Sequence, residues 1–311
     1  MTTEQKNTIV NALEAYLSKY DISANVFVEK TGINESYITN MRNRSFKVGK
    51  TEIKEKWFIA VAKNIGFELE KNYWKRQFTN QTTAMLAVLE DAKFYGLTNV
   101  IIGETGCGKS YTAQWFADAN PQYMFIIKVG SSDNLSDLID KILEVTKIPI
   151  SKTKSKNISS IVKYFKKLKF EGYKPMLIFD ECEYMKQATL CMMKELYDDL
   201  LKECSIILIG TDELLDKLDK MRKRKKEGMR QFYRRLKFRV RVLPSIDTSF
   251  KLFLNEIEDK DLKTFLQRNC ENYGELHDAL VPAMREADRT GEPLTEDFVR
   301  KVLNIPKTMF L

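Results

Sequence analysis

The sequence predicts an α/β fold with a central parallel sheet, preceded by a helical domain and followed by a smaller one. The sheet is indicated by short apolar runs that alternate with segments of helical periodicity, as in parallel sheets with crossover helices. Four runs have the length of one buried strand: 98–102, 123–129, 176–179 and 205–209. The chain before about residue 70 and the chain after about residue 245 show only helical spacing. We therefore expect three domains, at residues 1–70, 71–244 and 245–311.

The composition is that of a soluble globular protein. Apolar residues make up 43% and charged residues 30% of the 311 residues, and no apolar run has the length of a membrane span. The first residues contain no apolar segment of the secretory type, so we expect a cytoplasmic protein without a membrane partner. The five cysteines show no C-x-x-C spacing, which favours reduced thiols over a zinc site. The net charge of +8 favours a polyanionic partner.

A glycine-rich loop joins the first predicted strand to a helix. Residues 103–110 read G-E-T-G-C-G-K-S and fit the pattern G-x-x-x-x-G-K-[ST] in the strand–loop–helix context that this pattern requires. Such a loop surrounds phosphates with backbone N–H groups at a helix N-terminus. The residues expected around the phosphates are Gly103, Glu104, Thr105, Gly106, Cys107, Gly108, Lys109, Ser110 and Tyr111. Lys109 would contact the β- and γ-phosphates and the Ser110 hydroxyl would bind Mg²⁺, so the sequence predicts ATP with Mg²⁺.

Two further strands end in polar residues. The run 176–179 ends in Asp180 and Glu181, and we expect this strand beside the phosphate-loop strand. Asp180 would then hold the Mg²⁺ shell at the nucleotide, and Glu181 would orient and activate the attacking water. Thr211 follows the run 205–209, at the sheet edge where ligands bind. It would hydrogen-bond the γ-phosphate or the water, or cap the next helix, and both roles stay open.

The N-terminal domain has the layout of a helix-turn-helix. A short helix is followed by Gly32, which suits a left-handed turn, and by Asn34, a predicted N-cap for a second helix. If the second helix enters a DNA groove, the contacting residues are Ser36, Tyr37, Asn40, Arg42 and Arg44. The alternative is an ordinary small helical domain.

The most basic part of the chain runs from Arg222 to Arg241. It contains the run R-K-R-K-K at 222–226, and aromatic residues interrupt the charges after it. An arginine of this stretch would serve as a finger onto a neighbouring subunit's γ-phosphate, and the other basic residues would contact nucleic-acid phosphates.

The order of these motifs resembles an AAA+ ATPase, and in particular the transposition ATPases typified by the phage Mu B protein. The resemblance implies Walker A roles for Lys109 and Ser110, Walker B roles for Asp180 and Glu181, and a sensor 1 role for Thr211. It also implies an arginine finger at the end of a helix. The stretch 234–236, R-R-L, matches that helix end, with Arg235 favoured and Arg234 as the second candidate.

One position departs from the resemblance. Lids of the initiator type often carry Gly-x-x-Arg, whose arginine contacts the nucleotide as sensor 2. Here the matching residues are Gly274 and His277, the single histidine of the chain. Either His277 makes a weaker, pH-sensitive contact with the nucleotide, or it is a surface residue and sensor 2 is absent. We therefore expect slow hydrolysis that acts as a switch.

The resemblance implies an ATPase that assembles with further copies of itself, as filaments or rings, on double-stranded DNA. Such a protein marks target DNA and stimulates a transposase. The loop after the second strand would contribute Lys147, Lys152, Lys154 and Lys156 to DNA binding, unless these lysines are only solvated. The alternatives are a helix-turn-helix transcriptional regulator that senses ATP, a replication initiator or helicase loader, and a defence-type or signalling ATPase whose N-terminal domain binds protein.

Overall fold

A computed structural model describes residues 1–49, 51–67 and 73–306. The chain divides into two compact units, Met1–Lys75 and Arg76–Leu311. The predicted boundary at residues 244/245 falls inside the second unit, and the division into three domains stays a prediction. Among the described helices, none is both long enough and apolar enough to cross a bilayer.

The first unit is helical and has a short two-stranded ribbon. Its elements are α1 (Thr3–Tyr20), α2 (Ala24–Thr31), α3 (Glu35–Arg42), β1 (Lys47–Val48), β2 (Thr51–Glu52) and α4 (Glu55–Asn64). Gly32 ends α2 with φ +67°, and the side chain of Asn34 caps α3 by accepting from Ser36 N at 2.9 Å. Ile38 and Met41 are fully buried in the core of this unit. The predicted helices, glycine turn and cap are therefore present.

The second unit contains a five-stranded sheet. Its strands are β3 (Thr98–Ile102), β4 (Met124–Lys128), β5 (Met176–Asp180), β6 (Ser205–Gly210) and β7 (Val240–Val242). Their order is β4-β5-β6-β3-β7, and every pairing is parallel. β3, β5 and β6 are buried along their whole length, as expected for strands with helices on both faces. The predicted α/β class with a central parallel sheet is confirmed.

The sheet order corrects one expectation. The strand that ends in Asp180 does not lie beside β3, because β6 lies between them and pairs with both. The ends of all three strands still lie at one edge, since parallel strands share their direction. Adjacency to β3 is therefore not needed to bring Asp180 to the loop after β3.

Helices surround this sheet and form the end of the chain. Before and between the strands lie α5 (Asn80–Tyr95), α6 (Lys109–Ala119), α7 (Leu135–Thr146), α8 (Lys154–Phe170), the 3₁₀ turn Cys182–Tyr184, α9 (Gln187–Asp199), α10 (Asp212–Lys223) and α11 (Met229–Leu236). After the sheet lie α12 (Lys251–Leu254), α13 (Lys260–Asn269), α14 (Tyr273–Thr290) and α15 (Glu296–Leu303). The helical character expected from residue 245 onward is confirmed.

The basic loop expected at 147–156 is shorter than predicted. Thr153 caps α8 by accepting from Lys156 N at 3.3 Å, so the helix already begins at Lys154. Lys147 and Lys152 lie in the loop, whereas Lys154 and Lys156 lie in the first turn of α8. A Thr N-cap was the local signal for this earlier start.

Candidate functional site

The loop between β3 and α6 has the backbone that its glycines predict. Gly106 has φ +74°, and Gly108 has φ +89° and caps α6. Lys109 is the first residue of α6, and its Nζ donates to the carbonyl oxygens of Gly103 and Glu104 at 2.7 Å each. The loop therefore places a lysine ammonium and a helix N-terminus together, which is a suitable site for an anion.

The remaining residues of this loop differ in their exposure. Ser110 and Tyr111 are exposed at the start of α6, and Glu104 and Thr105 are exposed in the loop itself. Cys107 is buried, and burial raises the pKa of its thiol. A side chain at Gly103 would come within 3.0 Å of Cys107 Sγ. Cys107 therefore packs in the interior beside Gly103 and does not offer a thiolate to a ligand.

The phosphate loop is bonded directly to the neighbouring strand. Gly103 N donates to the carbonyl oxygen of Gly210, the last residue of β6, at 3.2 Å. Thr211 follows, and its Oγ1 is buried and has no hydrogen-bond partner in the described part of the chain. Thr211 occupies the N-cap position of α10, but its side chain makes no capping hydrogen bond. A buried hydroxyl that lacks a partner at this edge fits a γ-phosphate or a water as its ligand.

Glu181 stands directly after β5 in an unusual conformation. Its φ of +59° lies in the left-handed region, which is costly for a residue with a Cβ. Its Oε1 lies 3.0 Å from Nζ of Lys128, the last residue of β4. The hydrogen bond to Glu181 raises the pKa of Lys128. The predicted water-activating carboxylate is thus held by a lysine that the sequence reasoning did not single out.

Asp180 and Ser110 are the predicted metal ligands. Asp180 is buried at the end of β5, and its Oδ1 accepts from Glu181 N at 2.9 Å. Its second carboxylate oxygen and the exposed Ser110 hydroxyl are hard oxygen ligands of the kind that Mg²⁺ prefers. These donors fit the predicted Mg²⁺.

The N-terminus of α14 lies on the phosphate loop. Asn272 caps α14 by accepting from Glu275 N at 3.0 Å, and its Oδ1 lies 2.2 Å from the position of a Cβ on Gly106. A Cβ on Gly274 would lie 3.8 Å from Gly106 Cα. Gly106 therefore has to be glycine because of both its φ and this contact. The sequence resemblance matched Gly274 and His277 to the sensor 2 motif but did not include Asn272, although Asn is a common N-cap.

His277 lies one turn further along α14. It is half-buried, and its Nδ1 lies 2.9 Å from Oδ1 of Asp278. The first turn of its helix contacts the phosphate loop. A nucleotide contact by His277 stays a prediction.

A cavity of about 340 Å³ has Tyr273, the residue after Asn272, in its lining and was not anticipated from the sequence. Its lining combines the start of α5 with the segment around α12 and the start of α14: Phe78, Thr79, Asn80, Asp247, Phe250, Lys251, Leu252, Phe253 and Tyr273. Tyr273 also donates to Gln81 Oε1 at 3.1 Å, and Gln81 Nε2 donates to Ser245 O at 2.6 Å. Aromatic rings beside a few polar groups suit a planar, polar ligand such as a nucleotide base.

The two arginine-finger candidates lie near the end of α11 and differ in their hydrogen-bond and ion-pair partners. Arg235 forms a fork with Asp198 of α9, with Nη2–Oδ2 at 2.8 Å, and also donates to Gln231 O. Arg234 is exposed and has no ion-pair or hydrogen-bond partner within the described ranges. The geometry thus favours Arg234 over Arg235, the reverse of the order given by the motif.

The residues predicted to contact DNA in the first unit are partly engaged inside it. Arg42 forms a fork with Glu14, with Nε–Oε1 at 2.6 Å, and Arg44 donates to Asn7 O at 3.0 Å. Tyr37 is half-buried against the ring of Trp57, with 5.3 Å between centroids. Ser36 is exposed, and Asn40 Nδ2 donates to Ser36 O at 2.7 Å. Lys147, Lys152, Lys154 and Lys156, in the second unit, are all exposed.

Comparison with known proteins agrees with this fold. Residues 94–218 match the family model described as an AAA domain. This match spans the phosphate loop, the Asp180–Glu181 pair and Thr211. An AAA domain is in general a nucleotide-hydrolysing domain. No curated protein matches the sequence.

Several solved structures share this fold. The Aeropyrum pernix ORC2 protein, in ADPNP–ADP complexes, is 17% identical with a TM-score of 0.55, covering 76% of this chain and 70% of that chain. Cdc6p from Pyrobaculum aerophilum is 15% identical with a TM-score of 0.57, covering 75% of this chain and 69% of that chain. The Aeropyrum pernix ORC1 protein in complex with DNA is 14% identical with a TM-score of 0.52, covering 74% and 66%. At these identities the likeness shows the fold alone, which is the α/β P-loop AAA+ fold.

Proposed function

We propose that this chain is an ATP-hydrolysing switch that binds double-stranded DNA and assembles with further copies of itself in its ATP-bound state. The observation that carries the ATPase part is the meeting of three elements at one sheet edge. These are the Lys109 loop after β3, the Asp180–Glu181 pair after β5, and the unpartnered hydroxyl of Thr211 after β6.

Each residue of this site has a separate role in the proposed hydrolysis. ATP with Mg²⁺ supplies the phosphoryl group and the positive charge that offsets the charge developing on it. Lys109 and the N-terminus of α6 bind phosphate oxygens, and Asp180 and Ser110 hold the metal. Glu181 accepts the proton of the attacking water, and Thr211 orients that water or the γ-phosphate. Arg234 of one subunit reaches the site of the next, which makes hydrolysis depend on assembly.

The DNA-binding part rests on charge and on likeness of fold. The chain has a net charge of +8, and the four exposed lysines from Lys147 to Lys156 pair with no carboxylate among the described residues. A structure with the same fold, the ORC1 protein, is a complex with DNA. Exposed lysines bind DNA through its phosphates and release counterions, so this binding is sensitive to salt and tolerant of sequence.

The first test is binding to random-sequence duplex DNA with ATP, with ADP and without nucleotide, using wild type, Lys109→Ala and Glu181→Gln. We expect ATP-dependent binding by wild type, none above the nucleotide-free level for Lys109→Ala, and a persistent ATP-bound assembly for Glu181→Gln. Binding that is equal in all three nucleotide states would overturn the switch. Hydrolysis by Glu181→Gln at the wild-type rate would overturn the role of Glu181.

The motif order supports a role in DNA transposition, in which the assembly marks target DNA and stimulates a transposase. The fold shared with ORC and Cdc6p proteins favours a second candidate, a replication initiator. Binding measured across a library of duplex sequences separates them. A flat preference, with filaments or rings visible by electron microscopy, supports the transposition role. Enrichment of one sequence supports the replication initiator.

A further inference from the structure

Helix α8 carries a continuous basic stripe on its outward side. The stretch from Lys147 to Lys174 contains nine lysines and a single acidic residue, Glu171. At 100° per residue, seven side chains of α8 fall within about 120° of its circumference. These residues, called here the α8 stripe, are Lys156, Ser159, Ser160, Lys163, Lys166, Lys167 and Phe170.

The opposite side of α8 is packed against the rest of the unit. Ile158, Ile161, Val162, Phe165 and Leu168 are buried on that side. The ring of Phe165 meets Phe125 of β4 edge-on, with 5.7 Å between centroids. The apolar face of this helix is therefore already occupied, and the stripe lies on its outward side.

The loop that leads into α8 is fixed to the helix. The side chain of Asn157 is buried and accepts from Ser151 N at 2.6 Å. Thr153 caps the helix, so Lys152 and Lys154 stand in set positions just before the stripe. The basic surface is thus preorganised, which lowers the entropy lost when it binds a ligand.

The lysines of the stripe are mostly without acidic partners. In the described part of the chain, Lys156, Lys163 and Lys166 have no carboxylate within 4.0 Å, and Lys167 pairs only with Glu171 at 3.8 Å. Both members of that pair are exposed, so the pair is weak and easily exchanged for another anion. The positive charge of α8 is therefore available to a partner.

We propose that the α8 stripe binds the phosphate backbone of double-stranded DNA, an inference that rests on the proposed function and extends it to a defined surface. From Lys156 to Lys167 the helix spans about 16 Å, or about five base pairs of duplex. Serine hydroxyls between the lysines donate hydrogen bonds to phosphate oxygens. Only one large apolar side chain, Phe170 at 93% exposure, lies at the end of the stripe. A membrane is a poorer partner because the apolar face of α8 is buried and cannot insert.

The test is a triple variant in which Lys163, Lys166 and Lys167 are each replaced by alanine. If each lysine contacts one phosphate, the slope of log K against log salt falls by about 2.7. At about 0.1 M salt this corresponds to a loss of about 500-fold in affinity for random-sequence duplex, measured with ATP present. An unchanged melting temperature and circular dichroism spectrum show that the variant folds, since none of the three side chains belongs to the core.

The matched control replaces three lysines of the C-terminal helices, Lys260, Lys263 and Lys301, by alanine. Because it removes the same net charge, it reports the effect of overall charge alone, and we expect a much smaller loss of affinity. If the stripe variant binds duplex as tightly as this control, the stripe is not the DNA surface. If the stripe variant loses binding to phosphatidylserine vesicles while its binding to duplex is retained, the surface is for membranes and the proposal is wrong.

These experiments distinguish failure of the proposed DNA function from failure of the α8 stripe as its binding surface. Wild-type protein that binds no duplex in any nucleotide state removes both the proposed DNA function and this inference. Wild-type protein that binds duplex, together with a stripe variant that matches the control, removes the inference and leaves the proposed function in place.

Discussion

Replacing Lys128 by alanine tests how hydrolysis is restrained. Lys128 Nζ lies 3.0 Å from Oε1 of Glu181, the carboxylate that we assign to the attacking water. While this ion pair is formed, the carboxylate is turned toward the end of β4. Lys128→Ala removes the pair and leaves Glu181 and its left-handed backbone in place. We therefore expect faster hydrolysis by the variant.

The size of the effect follows from the exposure of the pair. The Lys128 side chain is 72% exposed and that of Glu181 33%, so the pair belongs with exposed ion pairs, which are weak. The paired state of such a pair is about 1.4 to 5 times as populated as the unpaired one. If only unpaired Glu181 is competent, Lys128→Ala raises the rate by about 2- to 6-fold.

The assay is steady-state phosphate release at saturating ATP, without DNA, across a range of salt. Because salt screens exposed pairs, the wild-type rate should approach the Lys128→Ala rate as salt increases. Lys128→Arg keeps the pair and should behave as wild type. The reasoning is refuted if Lys128→Ala is no faster than wild type at low salt, or if Lys128→Arg matches alanine.

Three further predictions address the loop and the arginines. Gly106→Ala places a Cβ at a residue with φ +74° and 2.2 Å from Asn272 Oδ1, so we expect the variant to bind ATP much more weakly than wild type. Titration calorimetry measures this affinity, and a wild-type value would contradict the prediction. Arg234→Ala should lower the hydrolysis rate of the assembled protein by about 10³-fold or more without changing its melting temperature. Arg235→Ala should mainly lower the free energy of unfolding, by about 1 kcal/mol. The reverse pattern would restore Arg235 as the arginine finger. Burial raises the pKa of the Cys107 thiol, so iodoacetamide at pH 8 should alkylate it only after the chain is unfolded. Peptide mass spectrometry measures this alkylation, and rapid labelling of the folded protein would contradict the burial of Cys107.

The parts of the fold that local sequence determines were predictable. β3, β5 and β6 were visible as apolar runs because buried parallel strands need no polar face. The phosphate loop was visible because its glycines and lysine occupy fixed spacings. Gly32 and Asn34 marked a turn and a cap by the backbone each favours. In each case a few neighbouring residues carry the whole signal.

The parts that depend on long-range neighbours were not predictable. Nothing in the run that ends at Asp180 tells that β6 will lie between it and β3, because strand order is set by how the helices pack. Lys128 and Glu181 are far apart in sequence, and their pairing follows from the register of β4 with β5, where Lys128 lies opposite Asp180. The contact of Asn272 with Gly106 likewise depends on how α14 packs against the loop.

The arginines show why charge alone is a poor guide to function. Arg42 and Arg235 each matched a functional position in the sequence, yet each is held in a fork by a carboxylate far away in the chain, Glu14 and Asp198 respectively. Before such an arginine contacts a phosphate it has to release that partner, which weakens any binding by the energy of the fork. Arg234 has no such partner among the described residues and incurs no such cost. An unpartnered charge on a rigid element is therefore the better criterion, and the lysines of the α8 stripe meet it as well.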